Sequence, residues 1–205
     1  MTINYGAATA RQSEILEQAL TIVREGGLSG LTIRKIAERM GFSEPALYRH
    51  FPNKQAVILG LMDRLDEMLV RSAGTIAEDT SLPAQERLSR IISHHVGLVR
   101  EYNSLPILLL AEASTSDDPV LLSRMREIFS AYFELLVEVV TEGQEMGTID
   151  PSVQPDCIAL GLMGTPTALA VRHRLLPDAG FEDRVEDVWI PFLLDRIAPV
   201  EGRRS

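Results

Sequence analysis

Cysteine is almost missing from this sequence. Cys157 is the only one in 205 residues, so no intramolecular disulfide can form, and a reducing, cytoplasmic setting is the simplest expectation. Long apolar runs are missing too. The longest uncharged stretch, Cys157 to Val171, carries two glycines, two threonines and a proline. It is too short and too broken to span a bilayer, so no membrane partner is expected. Met1–Gly6 has neither the basic stretch nor the apolar segment of a secretion signal. The signatures of common enzymes are also lacking: there is no Gly-x-Ser-x-Gly elbow, phosphate loop or dinucleotide fingerprint, and Cys157 has no evident paired base. Neither catalysis nor a cofactor is expected. A metal site is not expected either, because the adjacent His94 and His95 point about 100° apart on a helix and complete no chelating set.

What is present is apolar and helical. Hydrophobic residues make up 45% of the chain, with a mean hydropathy of +0.05. That surplus fits an oligomer interface or an apolar cavity. The net charge of −9 is unevenly spread: residues 1–55 hold seven Lys/Arg against five Asp/Glu, whereas residues 56–205 hold thirteen against twenty-four. A slightly basic head on a strongly acidic body can approach phosphate at one end while the body is repelled, although chance scatter would give the same balance.

Apolar residues recur at helical spacing almost throughout, and no period-2 strand stands out. A first helix carries Ile15, Leu16, Ala19, Leu20 and Val23, with Thr9 and Gln12 placed as a capping box and Gly26-Gly27 at its end. Short helices follow at Ile33–Met40 and Glu44–His50, then a long one with Ile58, Met62, Leu65 and Leu69 on its stripe. Pro83, Pro106 and Asp118-Pro119 open three more, and Gly147–Pro155 is a loop. Two closing helices, near 156–175 and 181–198, contain Pro166 and Pro191, where kinks are expected. The tail Glu201–Ser205 is expected to be disordered.

The informative stretch is Thr32–Lys54, TIRKIAERMGFSEPALYRHFPNK. Ala37 is small where two helices must cross, Gly41 falls where the chain needs a left-handed residue, and Ile36, Met40, Phe42 and Leu47 supply apolar contacts. Ser43 is placed to cap the second helix, in whose first turn Pro45 is tolerated, and Asn53 to cap the next. A helix so short and so capped can enter a major groove N-terminus first. Arg34, Lys35, Arg39, Tyr48, Arg49, His50 and Lys54 surround it with groups suited to phosphate.

The run GFSEPALYRHFPNKQAV, preceded by LTIRKIAERM, resembles the tetracycline-repressor (TetR) family of bacterial regulators, densely over residues 9–60. The resemblance implies an all-α protein of about nine helices. A three-helix DNA-binding head with a helix-turn-helix, residues 1–53, would carry a larger ligand-binding and dimerisation domain, residues 54–205. It puts Thr32 and Arg34 near DNA, Glu44, Pro45 and Ala46 at base edges, and Tyr48, His50 and Lys54 on phosphates; Ser43 and Arg49 complete the candidate set. Phe51 would be a core anchor. Glu44-Pro45 departs from the family's pattern in its variable part, where a carboxylate could accept from a cytosine amine or repel phosphate.

Met62, His95, Tyr102, Met125, Phe129, Tyr132 and Met163 form the candidate effector pocket. Each alone reads more readily as ordinary core, and His95 as a hydrogen-bonded core histidine; the family's need for a cavity makes the group more suggestive. Gly161, Gly164 and Ala168 share a face of an apolar helix. They suit either a subunit interface or close packing within one chain. The resemblance implies a homodimer through the last two helices, which brings in Trp189 and Phe192. The function expected is a ligand-responsive regulator, a repressor released from a near-palindromic double-stranded operator by a small apolar or aromatic effector. The alternative is a DNA-binding protein whose body recruits a protein partner.

Overall fold

A computed structural model describes residues 9–176 and 181–199, so the expectations for Met1–Gly6 and Glu201–Ser205 fall outside it. Among the described residues every regular element is helical. The head begins with α1, Ala10–Gly26, opened by the expected capping box: Thr9 Oγ1 accepts from Gln12 N at 3.2 Å, and Gln12 Oε1 accepts from Thr9 N at 3.0 Å. It stops at Gly27, whose φ of 71° and ψ of −179° define a backbone region open essentially to glycine alone. After a 3-10 turn at Leu28–Gly30, α2 spans Ile33–Met40 and α3 spans Glu44–Tyr48. Gly41 between them is left-handed, φ 67° and ψ 29°.

Helix α4 starts at Lys54, capped by Asn53 Oδ1 accepting from Ala56 N at 2.8 Å. It runs as Lys54–Leu65, widens into a π-helical turn at Asp66–Arg71 and resumes as Ser72–Ala77. Helices α5 (Ala84–Glu101), α6 (Leu105–Thr115), α7 (Pro119–Glu145) and α8 (Pro155–Leu175) follow. The last, α9, is Phe181–Arg184, a π-helical turn at Val185–Trp189, then Ile190–Arg196.

Most of the prolines within helical segments sit in first turns, where a missing N–H is tolerable; Pro166 is the exception. Pro119 sits in the first turn of α7 beneath Asp118, which accepts from Val120 N at 2.9 Å. Helix α8 runs unbroken through Pro166. In α9 the expected kink takes the form of the π turn, in which Ile190 N reaches back five residues to Val185 O just before Pro191. Widening the helix there relieves the clash a proline ring makes with the carbonyl four residues earlier.

One apolar core runs through the chain. Helix α1, through residues such as Leu16, and Phe51 meet the first half of α4 in a core that Ile15, Leu20, Ile36 and Leu47 share, and α5, α7 and α8 pack on one another around Leu88, Ile92, Leu136, Val140 and Leu162. Ion pairs clamp α4 from both sides. Arg64 pairs with Glu17 of α1, and Arg124 of α7 reaches Asp63 at 2.8 Å and Asp66 at 3.1 Å.

Among the described glycines of the body the most closely covered is Gly143 of α7. A Cβ there would lie 2.6 Å from Ile149 Cδ1 and 2.9 Å from Ala84 Cβ. Gly143→Ala should therefore lower unfolding stability by roughly 1–3 kcal/mol through overpacking. That loss outweighs the gain of up to ~1 kcal/mol in helix propensity. Urea denaturation measures it, and an unchanged or higher stability would mean that α5 and α7 separate freely.

Candidate nucleic-acid interface and effector cavity

The outer face of the head carries the candidate DNA set. Thr32, Arg34, Ser43, Glu44, Pro45, Tyr48 and Arg49 are exposed, while Ala46, His50 and Lys54 are half-buried. Thr32 caps α2 by accepting from Lys35 N at 3.1 Å. Ser43 corrects an expectation: its hydroxyl caps nothing. Pro45 has no N–H to offer, and the next two amides, Ala46 N and Leu47 N, are taken by the Ser43 carbonyl at 2.9 and 3.2 Å. The hydroxyl is thereby left at the surface ahead of α3. The last turn of that helix is held to α1 by Gln12 Nε2, which donates to His50 O at 3.2 Å.

The charges on this face are partly engaged. Arg34 bonds Glu38 at 2.7 Å, which raises its guanidinium pKa, and Arg39 pairs with Glu25, whose carboxyl that bond holds down. Arg49 and Lys54 form no ion pair among the described residues, so their charge is free to meet phosphate. Phe51 is buried, as a core anchor must be.

A cavity of about 300 Å³ lies in the body between α4, α5, α6, α7 and α8. Five of the candidates meet on its wall: His95, Met125, Phe129, Tyr132 and Met163. Two do not, and the assignment is corrected. Met62 is fully buried in the core about one turn before the lining residues Leu65 and Leu69. Tyr102 terminates α5, away from the cavity, under the Arg24 guanidinium at 5.6 Å. Sequence reasoning missed Arg126 and the α6 residues Pro106, Ile107 and Leu110. Arg126 was detectable, because it lies three and six residues before Phe129 and Tyr132 on the face already suspected.

The wall is mostly apolar, with polar side chains at His95, Arg126, Tyr132 and Thr167. His95 and Tyr132 meet edge-to-face with ring centroids 5.3 Å apart, and neither His95 Nδ1 nor the Tyr132 hydroxyl has a hydrogen-bond partner although both are buried. Burial, with the neighbouring His94, pushes the His95 pKa down to about 3, and burial pushes the Tyr132 hydroxyl up. Both groups are neutral across the physiological range.

A strained bend connects this cavity to the head. Asn103 and Ser104, between α5 and α6, have φ of 48° and 62°, the left-handed region that L-residues avoid. Ser104 Oγ donates to the carbonyl of Ala170, a cavity residue, at 3.0 Å, and Asn103 Nδ2 donates to Arg24 O at the end of α1 at 3.1 Å.

The exposed face of α8 and α9 carries Leu160, Gly161, Gly164, Ala168 and Val171, with Val188, Trp189 and Phe192. Trp189 stacks on Phe192 at 5.5 Å and donates to Thr165 Oγ1 at 3.1 Å. No Cβ-sized obstacle lies over Gly161 or Gly164. Among the described residues no group of three His, Cys, Asp or Glu side chains could hold a metal, and no helix is long and apolar enough to cross a membrane.

A short helix pair with a left-handed glycine turn, set on a helical body with a cavity, defines a helix-turn-helix transcription regulator. Comparison with known proteins specifies which kind. The profile of bacterial regulatory proteins of the tetR family matches residues 15–61, and that of the YsiA-like protein C-terminal region matches residues 61–168. The chain belongs to the tetR family. It is 27% identical to the fatty acid metabolism regulator protein of Bacillus subtilis over 137 residues, 66% of this chain and 69% of that one. It is 33% identical to the nucleoid occlusion factor SlmA of Vibrio campbellii over 137 residues, 65% and 68% of the two chains. Its fold matches the crystal structure of the transcriptional regulator FadR from Bacillus subtilis in complex with stearoyl-CoA. The TM-score is 0.71 at 19% identity, over 89% of this chain and 97% of that one.

The buried histidine gives the site a pH signature. An unfolded histidine titrates near pH 6.5 and the folded one near 3, so between those values the unfolded chain holds a proton that the folded chain lacks. His95 therefore makes stability fall with acidification, by up to about 1.4 kcal/mol per pH unit across that window. Equilibrium denaturation at stepped pH should show a shallower decline for His95→Leu than for the wild type. Parallel declines would mean that His95 is protonated in the fold.

Proposed function

We propose that this protein is a homodimeric repressor whose grip on a near-palindromic operator is released by an acyl-bearing effector bound in the body. The carrying observation is a mostly apolar cavity in whose wall two buried polar atoms, His95 Nδ1 and the Tyr132 hydroxyl, are left unpaired by the protein. Unpaired buried polar atoms cost about 1–3 kcal/mol each, a cost that a ligand can remove. The acyl character is supported by the similarity to the Bacillus subtilis fatty acid metabolism regulator and, for the fold, to FadR in complex with stearoyl-CoA.

In this reading residues 1–53 serve DNA and residues 54–205 serve the effector and the second copy. Glu44, Pro45 and Ala46 of α3 face base edges, and Ser43, Tyr48, Arg49, His50 and Lys54, with Thr32 and Arg34, reach the backbone. The exposed α8–α9 face seats a second copy, with Gly161, Gly164 and Ala168 permitting close approach and Trp189 and Phe192 as anchors. The two recognition helices must then stand near one helical repeat of DNA apart, about 34 Å, or a multiple of it. The effector acts by favouring a conformation with another spacing. Movement has two routes to the head: along α4, whose Leu65 and Leu69 wall the cavity, and through the Asn103–Ser104 bend.

Fragments selected from random DNA by the purified protein should converge on a near-palindrome, with affinity falling steeply as salt rises. Lys54→Ala should flatten the slope of log affinity against log salt by about two for a dimer on two half-sites. Stearoyl- and decanoyl-CoA should weaken binding to the selected site at least tenfold and raise the melting temperature. Cross-linking the heads at the DNA-competent spacing should abolish that release. Operator binding that no acyl-CoA alters would overturn the effector reading and point to a body that recruits a protein partner.

A further inference from the structure

The wall of the cavity is more specific than an alkyl chain requires. A saturated chain would satisfy Leu65, Leu69, Ile107, Met125 and Phe129 and leave His95 Nδ1 and the Tyr132 hydroxyl as they stand, buried and unpaired. Both atoms belong to side chains more than nine-tenths buried. A neutral imidazole offers one donor and one acceptor, and a phenol offers a donor with lone pairs, so together they suit one carbonyl oxygen that accepts from both or one hydroxyl that donates to one and accepts from the other. Arg126 supplies the other polar element. It lines the same cavity, is solvent-exposed and forms no ion pair among the described residues, whereas Arg124 two residues earlier is fully engaged with Asp63, Asp66 and Glu127. Arg126 and Tyr132 are six residues apart on α7, about 9 Å along its axis.

We propose that the effector is an oxygen-substituted acyl amphiphile. Its apolar body fills the cavity, an oxo or hydroxyl oxygen within that body is read by His95 and Tyr132, and its anionic end emerges at Arg126. This rests on the reading of the cavity as the effector site, and it adds a selectivity which that reading does not need: discrimination between chains that differ by a single oxygen. A carboxylate or the phosphates of a coenzyme A thioester would supply the same negative charge at Arg126.

The test is calorimetric titration of the full-length protein with dodecanoic acid and its 5-, 7- and 9-oxo derivatives, each as free acid and as coenzyme A thioester, with operator release followed in parallel. At least one oxo derivative should bind ten- to a hundredfold more tightly than its parent. Tyr132→Phe, which removes one oxygen from a folded core, should bring that ratio close to one, and His95→Phe should do likewise. Arg126→Gln should weaken the charged ligands three- to fivefold relative to their methyl esters. Tighter binding of the acid puts a carboxylate at Arg126 and tighter binding of the thioester puts phosphate there; both carry the proposal. Binding with no preference for an oxo group, or a preference that survives Tyr132→Phe and His95→Phe, overturns the proposal and leaves the cavity as an effector site. Failure of every probe to bind or to release operator overturns the proposal together with the reading beneath it.

Discussion

The structure depends on α4 being shared. Its first half, through Val57, Ile58 and Leu61, completes the apolar core of the head, and its second half, through Leu65 and Leu69, walls the cavity. A helix passes rotation and translation along its length because its backbone hydrogen bonds are internal. The two halves therefore cannot move independently unless the helix itself yields. The π-helical turn at Asp66–Arg71 begins directly after Leu65, in the cavity half, and Arg64 just before it and Asp66, its first residue, are pinned to α1 and α7. An arrangement with stiff ends and one soft turn suits a part that must switch between two positions. A continuous deformation would disturb close-packed cores on both sides.

The charge distribution follows from the same division. The face around α2 and α3 has more cations than carboxylates, and several of those cations sit in exposed ion pairs that water and salt already weaken, as Arg34–Glu38 does. Exchanging such a carboxylate for a phosphate costs little, so those residues can be engaged before DNA arrives. Within the body, by contrast, the deeply buried Arg87 is tied at both ends of its fork: it donates to Ala77 O at 2.6 Å and to Glu142 at 2.7 Å. Burial decides which charges are available for recognition and which hold helices together.

Sequence reading recovered most of the head because its constraints are local. Thr9 with Gln12, Gly41 and Asn53 each announce a helix end by chemistry that acts within three residues, and the structure shows all three in those roles, whereas the cap made by Thr32 was not anticipated. Ser43 failed for a local reason as well: the neighbouring Pro45 removed a donor that the cap needs. The cavity was legible only in part. His95, Met125, Phe129, Tyr132 and Met163 stand out by type and spacing, but whether a residue on an apolar stripe meets a void or another side chain depends on how five helices approach each other. That is why Met62 and Tyr102 were misplaced and Arg126 was overlooked. The π turns in α4 and α9 left no periodic trace, since each adds only one residue to a helix.

The bend between α5 and α6 restricts how this sequence can drift. Asn103 and Ser104 both occupy the left-handed region, where glycine would be conformationally easiest and asparagine is among the few tolerable side chains. Yet glycine at 104 would delete the hydroxyl that satisfies the buried carbonyl of Ala170, and glycine at 103 would delete the amide that reaches Arg24 O. Each position is held between two opposing selections, backbone ease against polar pairing. Asparagine answers both at 103. At 104 serine keeps the hydroxyl that the Ala170 carbonyl needs, against its own backbone preference. A substitution at this bend is therefore filtered twice, once by the backbone region it must enter and once by the carbonyl it must leave satisfied, so the bend tolerates fewer residues than its place between two helices would suggest.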